Sequence, residues 1–359
     1  MYGEALALTG RKVTRFGEKP AFEEGLYDLG NHTYAWMVPN GSWGENNCAL
    51  VVGDGESLLL DTQWDLSHTA EMLEAMRPIT RDAPIRYLVI SHADGDHSWG
   101  CKLLGAAQVV MSAATSSEVC STRPLAMTLM SAAAGTFSRF LPGSPRKALR
   151  YLHGMTAPYD FRGARCPVAD IAFTKELAFS VGGREVRLTE AGPAHTHGDI
   201  YAYVPDAGVV LCGDIVFRGS TPVLWAGPLE NWITSLDRML GLDANVFVPG
   251  HGPLCERNDL LEVRSYWEYM TSEFRRRFDS GMSARDAAWD IALSADFASS
   301  KYAGWDSPER IVTSTHVTWG HLQGKGGRLK NADRLLVLWR QGVLAARLPG
   351  ATPASMHLL

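Results

Sequence analysis

Seven residues of this chain have types and positions suited to holding metal ions. The segment Ser91-His92-Ala-Asp94-Gly-Asp96-His97 offers four potential ligands within six residues, directly after the apolar run Arg86-Tyr-Leu-Val-Ile-Ser91. Imidazoles and carboxylates crowded onto a strand-end turn can converge on two adjacent cations, whereas a packed core gains nothing from them. Two more histidines occupy comparable places, His195 in Gly192-Pro-Ala-His195-Thr-His197 and His251 in Val248-Pro-Gly-His251-Gly-Pro253. Asp214 closes the apolar run Val209-Val-Leu-Cys-Gly-Asp214, where an unpaired carboxylate would be costly to desolvate.

The elements that must position these residues read as mixed α/β structure. Strands are expected at Tyr34–Val38, Cys48–Val52, Ser57–Asp61, Arg86–Ser91, Ala107–Met111, Tyr201–Val204 and Val209–Cys212, with a hairpin pairing Leu177–Val181 with Glu185–Thr189 through Gly182-Gly183. Ser67 to Arg77 reads as a helix capped by Ser67 and ending before Pro78. Strand-rich segments broken by single helices point to packed mixed sheets with helices outside them. A Met- and Ala-rich stretch within about 113–170 reads as a helical insertion, and 256–359 reads as a helical C-terminal layer on a first unit of 1–255. Its expected helices are Leu260–Phe278, Ser283–Ser294, Pro308–Leu322 and Ala332–Arg347.

Composition narrows the function. The 359 residues are 46% hydrophobic and 20% charged, the balance of a folded globular protein. A net charge of −5 lacks the basic excess that a phosphate backbone attracts, so no nucleic-acid partner is expected. No apolar run is long enough for a membrane span, and the charged first twenty residues lack a secretory core, which gives a cytoplasmic expectation. The six cysteines contain no C-x-x-C pair and read as reduced, buried thiols.

With these segments in order, the sequence resembles the metallo-β-lactamase-fold metallohydrolase superfamily over about residues 25 to 255. The motifs that carry the likeness are Leu58-Leu-Leu-Asp61-Thr62, the 92–97 cluster, His195-Thr, Gly213-Asp214 and Pro249-Gly-His251-Gly252. The resemblance implies an αββα sandwich of two mixed β-sheets flanked by helices, with a dinuclear site along one edge. It assigns His92 and His195 to a first metal, Asp96, His97 and His251 to a second, and Asp214 to a bridge, with Asp61 an orienting acid behind them. Asp94 departs from the usual His-x-His-x-Asp-His pattern, standing where a histidine is common. It either ligates as a carboxylate or falls short of the metal. Zinc is the expected ion, and a carboxylate there would suit iron or manganese better.

The implied reaction is hydrolysis of a small-molecule ester, lactone, thioester or amide by a metal-activated water that Asp96 helps orient. Trp43, Phe217, Trp225 and His316 are the candidate pocket residues, with Met127, Met130, Phe137 and Phe140 as a roof, which favours an apolar or aromatic substrate. Two other readings stay open: a di-iron redox enzyme, raised by Asp94, and a nucleic-acid processing enzyme, raised by Lys325, Arg328, Lys330, Arg334, Arg340 and Arg347. A homodimer through the helical additions is also expected.

Overall fold

A computed structural model describes residues 3–329 and 331–351, so Lys330 and the last eight residues of the expected helical layer lie outside the described residues. Eight strands form the first sheet in sequence order: β1 (Glu4–Leu8), β2 (Gly25–Asp28), β3 (Thr33–Met37), β4 (Cys48–Val52), β5 (Ser57–Leu60), β6 (Ile85–Val89), β7 (Gln108–Ser112) and β8 (Ile171–Phe173). Strands β1 to β5 pair antiparallel, and β5 to β8 pair parallel through helical crossovers. The second sheet runs β13 (Val246–His251), β12 (Val209–Phe217), β11 (Ile200–Val204), β10 (Arg184–Glu190), β9 (Glu176–Val181), antiparallel except for β12 and β13.

The alternation of side chains along each strand builds the layers. On β4 and β5, Ala49, Val51, Leu58 and Leu60 face the second sheet, where they join Val186, Leu188, Ala202 and Leu211. Leu50 and Leu59 point the other way and bury Met72 and Met76 of the helix Leu66–Thr80. Burial on both faces explains why Leu58-Leu59-Leu60 is an unbroken apolar run. That helix differs from its sequence reading at both ends: Asp65, not Ser67, caps it by accepting the His68 amide at 2.8 Å, and Pro78 lies inside its last turn. Asp65 precedes the first turn with an extended backbone, the conformation an N-cap requires.

The outer face of the second sheet is covered by the helices Leu229–Leu240 and Arg257–Asp279, on which Ala284–Ala292 and Ile311–Leu322 pack in turn, and Trp232, Trp267 and Val312 belong to one core with the sheet. The insertion consists of helices Ala113–Glu118, Pro124–Phe137 and Gly143–Thr156. The last of these packs against the helix Asn331–Ala345. A buried polar chain links them: Thr313 donates to Gln341 at 2.7 Å, Gln341 to the Tyr151 hydroxyl at 2.7 Å, and Tyr151 to Glu309 at 3.0 Å. Of the cysteines, Cys48, Cys212 and Cys255 are buried, but Cys101, in the 3₁₀ helix Trp99–Leu104, and Cys166, on a loop of the insertion, are half-buried and Cys120 is exposed. Among the described residues no helix is long and apolar enough to cross a membrane.

Burial pushes the Glu309 carboxyl up to about 7 from its ordinary 4.5, with Arg310 opposing the shift. The folded state therefore keeps this proton when the unfolded chain has lost it. Its contribution is full below about pH 4.5 and declines as pH rises through 7, by up to about 3 kcal/mol. Glu309→Gln should flatten the fall in melting temperature between pH 5 and 8; thermal unfolding of both proteins at the two pH values checks this, and parallel slopes would contradict it.

Candidate metal centre

Every donor residue sits at the same edge of the two sheets. Asp61 follows β5, His92 to His97 follow β6, His195 follows β10, Asp214 lies within β12 and His251 ends β13. The pairing of β12 with β13 slips between Gly213 and Phe217, and Asp214 lies in that irregular stretch. Gly250 makes the approach possible, since a Cβ there would stand 2.0 Å from Asp214 Oδ1. Asp61 adopts φ +65°, a left-handed conformation that aspartate tolerates better than most residues.

The hydrogen bonds on the outer side of the cluster fix the imidazoles. His195 Nδ1 donates to the Val223 carbonyl at 2.7 Å, His251 Nδ1 to the Glu45 carbonyl at 3.0 Å and His97 Nδ1 to Asp61 Oδ2 at 2.8 Å. Ser91 Oγ gives its proton to Asp61 at 2.6 Å and so accepts from His92 Nδ1 at 2.8 Å. Because carbonyl and carboxylate oxygens only accept, all four rings carry the proton on Nδ1 and turn the Nε2 lone pair inward.

Inside, these lone pairs face carboxylates and one another. Asp214 Oδ2 lies 3.4 Å from His195 Nε2, 3.4 Å from His251 Nε2 and 3.7 Å from His92 Nε2, while Oδ1 is 3.1 Å from His97 Nε2. His97 and His251 bring their Nε2 atoms to 3.4 Å, and Asp94 Oδ2 is 3.2 Å from His195 Nε2. His92 Nε2 and Asp214 Oδ1 are buried without a hydrogen-bond partner. Two outer triads can be drawn, His92 with Asp94 and His195, and Asp96 with His97 and His251. Acceptors facing acceptors out of water need positive charge between them, and the donor set fits divalent cations. Burial opposes charge throughout, yet the imidazoles around it hold Asp214 well below the usual carboxylate range, and Asp94 and Asp214 raise His195 to about 9: the carboxylates draw positive charge to the inward nitrogens, as a second proton on His195 or as a metal ion in its place.

The loop 40–47 supports the same cluster. Gly44 donates its amide to Asp96 Oδ2 at 3.1 Å, and Arg15, buried in an ion pair with Glu24, donates to the Gly44 carbonyl and to Gln63. Arg15 and Gln63 had no signature in the sequence.

A cleft of about 450 Å³ opens over the donors. Trp43 and Trp225 line it, as does Phe217, whose ring stacks on His251 at 5.0 Å. Met127 and Met130 also line it. Phe137 and Phe140 do not: they are 58% and 77% exposed, one at the far end of the helix from the cleft-facing Ala126, Met127 and Met130 and the other in the turn beyond it. His316 is likewise not brought to the cleft, because its Nδ1 is tied to the Val312 carbonyl at 2.8 Å and its Nε2 to Arg340 at 2.6 Å. Trp64, Trp99, Arg310, Arg334 and Gln341 line the cleft without having been legible as site residues. Of the described basic C-terminal residues, Arg334 lies over Trp225, Arg347 over Trp289, Arg340 meets His316 and Arg328 approaches Glu118.

The metallo-beta-lactamase superfamily model matches residues 41–251, well over half of the sequence. The chain belongs to that superfamily. It is 29% identical over 146 residues to the alpha subunit of 2,4-dinitroanisole O-demethylase from Nocardioides sp. (strain JS1661), a match covering 37% of this chain and 39% of that protein. It is 29% identical over 75 residues to hydroxyacylglutathione hydrolase from Synechococcus sp. (strain JA-3-3Ab), covering 21% and 29%. The chain thus spans well under half the length of these curated relatives. Among solved structures it is similar to the stereoselective inverting sec-alkylsulfatase Pisa1 from Pseudomonas sp., with TM-score 0.58, 14% identity and coverage of 91% of this chain and 50% of that one. A double mutant of the same sulfatase gives TM-score 0.61 at 15% identity over 82% of this chain and 50% of that one. At such identity the likeness is one of fold. Membership in this superfamily makes the sandwich a hydrolase-type fold with implied metal ions, and the sequence resemblance to the family holds.

Asp61 accepts from His97 and Ser91 and does not line the cleft, the arrangement expected of a positioning residue. Asp61→Asn keeps the shape and tolerates the backbone angle, and should weaken metal binding by about 10–100-fold. Competition against a chelator reads this directly, and an unchanged affinity would contradict the positioning role.

Proposed function

We propose that this chain is a dinuclear metal-dependent hydrolase that cleaves a small-molecule ester, lactone, thioester or amide with an apolar or aromatic portion. The observation that carries the reading is the inward convergence of four Nε2 lone pairs and three aspartates at the floor of an aromatic cleft. His92, Asp94 and His195 would hold one ion, Asp96, His97 and His251 the other, with Asp214 between them. Zinc is the ion proposed. When bound, the ions supply a water activated at neutral pH and an electrophile for a carbonyl oxygen.

The chain's own residues do the rest. Asp96 lies on the cleft wall with Oδ2 fixed by Gly44, leaving Oδ1 to orient the attacking water. The rings of Trp43, Trp64, Trp99, Phe217 and Trp225 exclude bulk water and receive the apolar part of the substrate. The relative named for 2,4-dinitroanisole, an aromatic ether, supports the aromatic portion but not the bond cleaved, and the relative named as a hydroxyacylglutathione hydrolase supports hydrolysis of an acyl compound. One observation favours a second reading: Asp94 joins His92 and His195 as a carboxylate, a donor that suits iron and hence redox chemistry.

His92→Ala or Asp214→Ala should remove metal and lower turnover on an ester and lactone panel by about a thousandfold or more. Metal analysis and steady-state rates on the same preparations check this. Full turnover in a variant without metal would contradict the assignment.

A further inference from the structure

Arg310 belongs to the 3₁₀ turn Pro308–Arg310 of the helical layer, outside the residues that match the family model. It lines the cleft and is only 2% exposed. One terminal nitrogen donates to the Thr221 carbonyl at 3.1 Å and the other reaches the Gly41 carbonyl at 3.4 Å, while Nε is buried without an acceptor. No ion pair joins it to a carboxylate among the described residues: Glu309 and Asp306 feel its charge, but the Glu309 carboxylate takes the Tyr151 hydroxyl instead. The guanidinium lies over the Phe217 ring at 5.6 Å, and that ring stacks on His251. A guanidinium out of water with unused donors calls for an anion, and its planar fork matches an acid group. The neighbouring cleft cation, Arg334, also lies over a ring, that of Trp225, but it is only half-buried, so water can satisfy its donors.

We propose that Arg310 recognises an acid group of the substrate, so that the molecule cleaved here is an aromatic or apolar body carrying a carboxylate or sulfonate held one ring's distance from the metal centre. This rests on the cleft being the substrate site, as in the hydrolase reading, and adds the charge that the substrate must carry.

The test uses metal-loaded protein and two probes of one shape, 2-naphthoate and 2-naphthamide, titrated against the fluorescence of the cleft tryptophans Trp43, Trp64, Trp99 and Trp225. Wild type should bind the naphthoate at least about tenfold more tightly. Arg310→Gln should abolish that preference and Arg310→Lys should retain part of it, with metal content unchanged in both. Equal affinities in wild type, or a preference that survives in Arg310→Gln because the carboxylate sits on the metals, would overturn the proposal. A crystal structure of wild-type holoprotein with 6-bromo-2-naphthoate decides the same point should Arg310→Gln fail to fold: the carboxylate is expected on Arg310, and a carboxylate on the His and Asp cluster would refute it. Neither measurement needs turnover. A protein that hydrolyses nothing can still show the preference, and a protein without the preference can still be a hydrolase.

Discussion

A carboxylate taken out of water governs this structure. Asp214 is 5% exposed and stands among the inward faces of four histidines. Burying such a charge without a counter-ion costs several kcal/mol, and since each ring spends its Nδ1 proton on an outer acceptor, the imidazoles can supply that charge only by taking a second proton on the inward nitrogen, the place a metal ion would hold. The chain has nonetheless built its backbone to keep Asp214 there, with Gly213 in a left-handed conformation and Gly250 leaving no Cβ in the way. A site held this firmly while its own groups repel is organised around cations.

That requirement extends outward through both sheets. The first sheet supplies Asp61 and Ser91 to orient His97 and His92, and the second supplies Asp214 and His251, so the cluster exists only when the two sheets pack with their edges in register. The apolar layer between them, Val51, Leu58 and Leu60 against Leu188, Ala202 and Leu211, sets that register. The substrate side is built differently. Its walls combine the metal-bearing turns with the insertion, through Met127 and Met130, and with the C-terminal helices, through Arg310, Leu338 and Gln341. The donor cluster thus lies within the residues that match the superfamily model, whereas much of the cleft wall comes from the helical insertion and from helices beyond the match.

This division explains what the sequence made legible. The donors could be read because they cluster at strand ends, where polar residues following apolar runs have few structural uses. Strands such as Cys48–Val52 could be read from composition, and their sandwich from the family motifs. Three strands gave weak signals: Glu4–Leu8 is largely exposed, Ile171–Phe173 has only three residues, and Val246–His251 contains Pro249. Helical periodicity identifies an apolar face but not what covers it, so Met127 and Phe140 looked alike although one meets the cleft and the other solvent. Arg310 carries no signal in the sequence, because nothing local marks an arginine that distant segments, here Gly41 and Thr221, will bury. His316 was misplaced for the same reason: its partner, Arg340, is 24 residues away.

The most direct test of this account is the metal content of the purified protein, grown with zinc, iron and manganese all supplied and measured by elemental analysis. Inward-facing imidazoles and carboxylates in this arrangement predict about two divalent ions per chain. Protein that is folded and yet holds essentially no metal would contradict it.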